Sequence, residues 1–186
     1  MPMKPTMQTI HSHALVLATA LFALSGCATS QITTPAVPAQ LRAPAGQSAF
    51  VEALATGVQI YECASRPGES STFAWTFRAP EATLSDRSGR ALGKHYAGPT
   101  WESLDGSKVV GQAKASDPGP DPTAIPWLLL TPKSASDAGT YSRTASIQRV
   151  RTVGGIAPSQ RCDAGNATQI ARVPYTATYY FYRAGP

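Results

Sequence analysis

Charge is scarce in this chain. Only 15% of its 186 residues are Asp, Glu, Lys or Arg, against roughly a quarter in an ordinary soluble domain, which disfavours coiled coils and long exposed helices. Cysteine is scarce too, and three residues exclude a disulfide-dense miniprotein. No uncharged apolar run approaches the roughly 20 residues of a membrane-spanning helix. No segment after residue 48 combines a helical period, good helix formers and caps over several turns. Gly-x-Gly-x-x-Gly, Gly-x-x-x-x-Gly-Lys-Ser/Thr, His-Glu-x-x-His and Gly-x-Ser-x-Gly are all missing, and with them the common signatures of dinucleotide binding, phosphate binding, zinc proteolysis and serine hydrolysis. The length leaves room for one domain with a tail and none for a two-domain cofactor enzyme, so no cofactor is expected.

What is present begins with an address. Lys4 is the only Lys or Arg before Arg42, and it precedes the apolar stretch Ala14–Leu24. As a helix that stretch would cover about 16 Å, roughly half of a hydrocarbon core, the length of a signal-peptide core. It runs into Leu24-Ser25-Gly26-Cys27, which resembles the lipobox of bacterial lipoproteins: an apolar residue, two small ones, and the cysteine whose thiol is alkylated by diacylglycerol before cleavage. The resemblance implies a signal peptide over residues 1–26, a lipidated Cys27 with an extended tether over 27–47, and one domain over 48–186. The tether reading rests on Pro35, Pro38 and Pro44 and on the lack of apolar periodicity around them. Each buried methylene contributes about 0.8 kcal/mol, so two acyl chains anchor stably. A membrane, reached through lipid, is the partner this terminus names. Ala28 after the cysteine, in place of Asp, implies the outer membrane of a Gram-negative envelope, with the domain facing the periplasm.

Cys63 and Cys162 are then left as an even pair in an oxidising compartment, where a disulfide is the natural outcome; two buried free thiols are the alternative. Closing a loop of about 100 residues would remove about 4.7 kcal/mol of unfolded-chain freedom in the entropy account. The 15 Gly and 16 Pro punctuate short β-forming segments. Gly57–Cys63 is one. Phe73, Trp75 and Phe77 alternate and share a face. An Asp-Gly step at Asp105-Gly106 marks a hairpin, and Asp117–Pro122 is a proline-rich loop. Ile125–Leu130 reads equally as a buried strand or a turn of helix. Thr140–Val150 is rich in β-formers, and Val173–Tyr182 carries aromatics in both phases, as a strand covered on each side does. The expectation is an all-β, antiparallel sandwich or barrel in a single domain, with at most short helices, one of them near Ser48–Ala55.

Candidate chemistry gathers around one histidine. His11 and His13 fall in the signal peptide, which leaves His95 and excludes a multi-histidine metal site; no metal is expected. His95 precedes Tyr96, Trp101, Glu102 and Asp105 in a Gly98-Pro99 loop region. One reading makes His95 a general base oriented by Glu102 or Asp105, in a small envelope hydrolase; another groups the three as a weak cation site. A third uses Tyr96, Trp101 and Trp127, beside Glu102, Asp105 and Asp121, to stack and hydrogen-bond a sugar or another flat ligand. The bland alternative is that His95 satisfies backbone groups while the aromatics fill the core. Arg143, Arg149, Arg151, Arg161, Arg172 and Arg183 crowd the C-terminal third of a chain of net charge +5. At an envelope address these favour anionic lipid head groups or an acidic polymer over nucleic acid. The leading expectation is a binding or interaction module for a small molecule, glycan or protein. The hydrolase is the alternative, and a structural subunit of an envelope complex is a third reading.

Several motifs recur in one order: Gly57-Val-Gln-Ile-Tyr-x-Cys63, Trp75-x-Phe77-x-x-Pro80, Gly93-x-His95-Tyr-Ala-Gly-Pro-Thr-Trp101-Glu, Asp105-Gly-Ser, Ile125-Pro-Trp-Leu-Leu-Leu130, Ile147-Gln-Arg-Val-x-Thr-x-Gly-Gly155 and Tyr175-x-Ala-x-Tyr-x-Phe-Tyr182. This series resembles the domain of unknown function 3455 family of bacteria and fungi, from about residue 48 onward. The resemblance implies pairing of Cys63 with Cys162 and singles out the His95 loop without assigning it a role. Some fungal relatives carry a malate dehydrogenase label, which does not transfer: this chain lacks the glycine fingerprint and any parallel βαβ run.

Overall fold

The computed structural model describes residues 1–4 and 32–185. Met1–Lys4 carry no regular structure, and the chain divides after Ser30, so the account below concerns the unit that follows. The apolar stretch, the lipobox and Cys27 lie outside the described residues.

Eight strands follow one another: β1 (Gln47–Arg66), β2 (Glu69–Ser85), β3 (Ala91–Tyr96), β4 (Thr100–Ser103), β5 (Lys108–Asp117), β6 (Trp127–Ala135), β7 (Ser146–Gly154) and β8 (Ile170–Ala184). Each pairs antiparallel with the next, and β8 pairs back onto β1, so the sheet closes into an up-and-down barrel. Of the two architectures expected from sequence, the barrel is the one formed. Eight strands enclose a space that side chains nearly fill. Ala53, Ala55, Ala82, Leu84, Trp101, Val109, Leu130, Ile147, Tyr175, Ala177, Tyr179 and Phe181 make up most of that core.

The helix expected near Ser48–Ala55 is instead the start of β1. Its alanines favour helix locally, but Ala53 and Ala55 stand opposite Tyr179 and Ala177 on β8, and small side chains there leave room for the tyrosine ring. Strand pairing overrides the local preference. Ile125–Leu130 resolves as an approach plus a strand: Ile125 is buried and its N–H bonds Gly154 O, and β6 starts at Trp127.

The two ends of the barrel differ. At the end holding the β4–β5 and β6–β7 connections, Tyr141 plugs the interior. It is 1% exposed and stacks on Phe181 with ring centroids 4.5 Å apart. Inside it, Trp101 packs edge-on against Phe181 and Tyr179. Gly111 makes the indole's position possible, because a Cβ there would meet the ring at 2.8 Å. The other end holds the β1–β2, β3–β4, β5–β6 and β7–β8 connections. There β1 and β2 outrun the barrel, since β2 pairs with β3 only over Ala82–Ser85. The β7–β8 connection lies against this extension through the Cys63–Cys162 disulfide, whose Cα atoms are 5.5 Å apart, and through Trp75 Nε1, which donates to Gln160 O at 2.9 Å. The bridge settles the choice between disulfide and free thiols.

The segment read as a tether is docked over the part that is described. From Ile32 to Gly46 it runs along the outside of β7 and β8, with Ile32, Val37 and Ala43 packed against Val150, Tyr180 and Tyr182. Leu41, in a 3-10 turn over Ala39–Leu41, is completely buried, and its carbonyl accepts from Gln148 Nε2 at 2.6 Å. Gln148 Oε1 in turn accepts from the Tyr182 hydroxyl. This strap explains why β8 carries aromatics in both phases: Tyr179 and Phe181 face the core, Tyr180 and Tyr182 face the strap. Replacing Leu41 by Ala should therefore cost about 2–5 kcal/mol, as other buried leucines do, measured by urea denaturation of the chain. A loss under about 0.5 kcal/mol, the range of surface positions, would show that the strap is not held there.

Candidate functional site

The open end contains a cavity of 460 Å³. Its apolar wall is Phe77, Pro80, Ile125, Leu128 and Leu130, and its polar lining is Gln59, Tyr61, His95 and Arg149, with Gly98, Pro99, Ala113, Pro126 and Arg78 around them. Each polar group reaches the interior by strand alternation. On β1, Gln59 and Tyr61 continue the inward phase of Ala53 and Ala55; on β7, Arg149 follows Ile147 two residues on. His95 is brought inward by pairing with Trp101 on β4 and Ala82 on β2.

His95 is 3% exposed and lies flat on the Trp101 indole, with centroids 4.4 Å apart. Its Nδ1 is 2.8 Å from Thr100 O. A carbonyl only accepts, so Nδ1 carries the hydrogen and Nε2 is an acceptor without a partner among the described residues. Burial, reinforced by the Arg149 charge and only partly offset by the Thr100 bond, lowers the His95 pKa to about 3. The ring is neutral at physiological pH.

Four buried polar atoms lack a partner among the described residues: Gln59 Nε2, Trp101 Nε1, Tyr175 Oη and Tyr179 Oη. All four belong to inward-facing residues. Tyr175 and Tyr179 neighbour one another, with the Gln59 amide and the Arg149 guanidinium beside them, and burial raises both phenol pKa values. The Arg149 guanidinium donates from Nε and Nη2 to Pro126 O at 3.1 and 2.8 Å. It has no carboxylate partner among the described residues. Tyr61 closes one side of the site by donating to Gly155 O at 2.7 Å. Gly155 has φ of 80°, and a Cβ on it would meet Tyr175 at 2.8 Å and Gln59 at 3.1 Å, so this crowded turn requires glycine.

The residues singled out from sequence are dispersed by the same alternation. His95 lines the cavity and Trp101 is buried behind it, stacked on the imidazole. Tyr96 and Glu102 are on the outer surface, where the Tyr96 hydroxyl donates to Glu102 Oε2 at 2.7 Å and Lys94 and Lys108 flank the carboxylate. That hydroxyl bond first, and then the two lysines, hold the Glu102 pKa below the usual carboxylate range. Asp105 sits at the plugged end, accepting from Ser107 and from Thr140 N and Oγ1; these bonds, the Ser107 hydroxyl foremost, hold its pKa far below normal. Its work is to tie the β4–β5 turn to the connection that delivers Tyr141. The pairing of His95 with Glu102 or Asp105 is therefore not formed: one is on the opposite face of the sheet, the other at the opposite end. Trp127 packs under the strap with Val150 and Tyr180, so Tyr96, Trp101 and Trp127 form no common platform, and Asp121 caps Thr123 in the β5–β6 loop.

The arginines form no single patch either. Arg149 is internal, Arg161 pairs with Asp163, and Arg172 pairs with Glu81. Sequence reading missed Gln59, Tyr61 and Arg149 as site residues. The available signal was a polar residue on an apolar phase, as in Ile147-Gln-Arg149, but β7 is covered on both faces and the phase is not visible from its composition.

His95 also sets an acid limit on stability. With its folded pKa near 3 and an unfolded value near 6.5, the unfolded chain binds the extra proton between those values. The contribution of neutral His95 is complete above about pH 6.5 and is lost as pH falls toward 3. His95→Gln should flatten the decline in Tm across that window relative to the parent. Parallel declines in the two proteins would remove His95 as the cause.

Residues 44–183 match the family model described as Protein of unknown function (DUF3455). No curated protein and no solved structure matches the chain. The matched span begins just before β1 and ends within β8, taking in both the ring and its cavity, and the chain belongs to this DUF3455 family.

Proposed function

We propose that the protein is a lipid-anchored binding module of the bacterial cell envelope, held at the outer membrane and facing the periplasm, which takes a small molecule into the open end of its barrel. The observation that carries the binding reading is the convergence of unsatisfied polar groups on a cavity. A buried donor without a partner costs about 1–3 kcal/mol; on the cavity lining Gln59 Nε2 incurs that cost, and His95 Nε2 and the outer edge of the Arg149 guanidinium beside it have no carboxylate or carbonyl partner among the described residues. A bound molecule with polar atoms of its own would supply the missing bonds, and the apolar wall would exclude water from its body.

The hydrolase alternative has less in its favour. A neutral imidazole whose pKa lies near 3 is a poor general base at neutral pH, and among the described residues it is oriented by the Thr100 carbonyl and by no carboxylate. His95 is better suited to accept a hydrogen bond from a ligand through Nε2. The envelope address rests on the lipobox at Leu24–Cys27, and the Cys63–Cys162 bridge is in keeping with an oxidising compartment.

The cavity reading is tested with N-phenyl-1-naphthylamine, an uncharged probe that fluoresces in apolar sites. It should bind the parent saturably, and Ala113→Phe, which adds a ring at the mouth, should weaken it by about tenfold or more with an unchanged urea midpoint. Absence of saturable binding to the parent would end the reading. The anchor is tested by intact mass of membrane-extracted protein: the parent should carry a diacylglyceryl-modified Cys27 as its first residue, and Cys27→Ala should remain unprocessed. An unmodified parent mass would refute it.

A further inference from the structure

Resting on the reading of the open end as a binding cavity, we propose that its ligand is a small organic acid, with a carboxylate held by the free edge of the Arg149 guanidinium and an apolar body lying against Phe77, Ile125, Leu128 and Leu130.

The argument starts from where this arginine is. Arg149 stands between Tyr179 on β8 and Leu128 on β6, in the inward phase set by Ile147, so its guanidinium is inside the mouth of the barrel. Its charge is felt there by His95, Tyr61, Tyr175 and Tyr179. Only one edge of the group is used: Nε and Nη2 chelate Pro126 O. A guanidinium carries five N–H donors in a rigid fork, and those on Nη1 together with the outer hydrogen of Nη2 have no partner among the described residues. They form the second edge, which matches the two oxygens of a carboxylate.

Among the described residues no carboxylate competes for that edge, and the neighbour beside the guanidinium is the uncharged Tyr179 hydroxyl. No Asp or Glu lines the cavity. Glu62, on the rim strand, is paired with Arg78 at 2.7 Å, and Glu81 with Arg172 at 2.6 Å. Arg149 is partly buried without a counter-charge among the described residues, and an incoming carboxylate would supply one. The neighbouring groups narrow the ligand further. The Gln59 amide on the lining is an uncharged donor that stabilises an anion without adding charge. His95 Nε2 is an acceptor, so it disfavours a second negative group and favours a hydroxyl or N–H on the ligand body. Of the two lining arginines, Arg78 is neutralised by Glu62 and Arg149 has no carboxylate partner among the described residues, and one uncompensated positive charge matches a monoanion, whereas a phosphate dianion calls for more.

The test compares two competitors of one shape on the full chain. 2-Naphthoic acid and 2-naphthamide share a ring body and differ in charge, and each is titrated against bound N-phenyl-1-naphthylamine at neutral pH. The acid should displace the probe at about tenfold lower concentration than the amide, the worth of one charge-assisted pair. Arg149→Met should bring the acid-to-amide ratio to about one. If the probe binds and the two competitors are equal on the parent protein, or the amide is preferred, the cavity reading stands and the acid assignment falls. If neither probe nor competitors bind, both fall. The acid-to-amide ratio on the parent decides the matter even if Arg149→Met does not fold.

Discussion

Closure of the ring by β8 on β1 is the constraint on which everything else depends. The pairing runs from Gln47 opposite Ala184 to Glu62 opposite Ile170, joining the two ends of the domain. Without it both strands would present unpaired edges, and there would be no enclosed interior to define an inside phase for any strand. Once the ring is closed, alternation assigns every residue to the core or to the surface. Ala53, Gln59 and Tyr61 go in; Glu52 goes out, where it pairs with Arg87. Eight strands set a diameter that aromatic side chains span, and the difference between a filled end and an open end then turns on a few residues.

At the filled end the Asp105 carboxylate is fully engaged and the aromatic side chains interlock. Asp105 anchors the loop that delivers Tyr141, and Tyr141, Phe181, Trp101 and Tyr179 pass contact inward from ring to ring. At the open end the order is reversed. The strands run on past their neighbours, the wall is apolar, and Gln59 Nε2 has no partner among the described residues. A domain that sustains such costs needs reserves elsewhere. The disulfide supplies one, restraining a loop of about 100 residues in the unfolded chain. The buried strap over β7 and β8 supplies another, and it also covers aromatic surface that would otherwise be open to water.

The fold class was legible because alternation, turn residues and the absence of helical periodicity all point the same way. The pairing of Cys63 with Cys162 was legible from their number and setting. The strap was not: Ile32, Val37 and Leu41 are too sparsely spaced among prolines to show a period, and their partners lie more than a hundred residues away on β7 and β8. The helix expected at Ser48–Ala55 was a misreading of alanine, which favours helix in isolation but here serves as a small neighbour for Tyr179.

What the sequence by itself determined is the set of short β-segments, the even pair of cysteines and the presence of one histidine in the domain, because these follow from local composition and count. Only the tertiary structure decided which groups face one another. Glu102 is seven residues from His95 yet on the other side of the sheet, while Arg149, 54 residues along the chain, shares its cavity. In a closed barrel the sign of each side chain's direction depends on register across eight strands, and that register is a property of the whole ring.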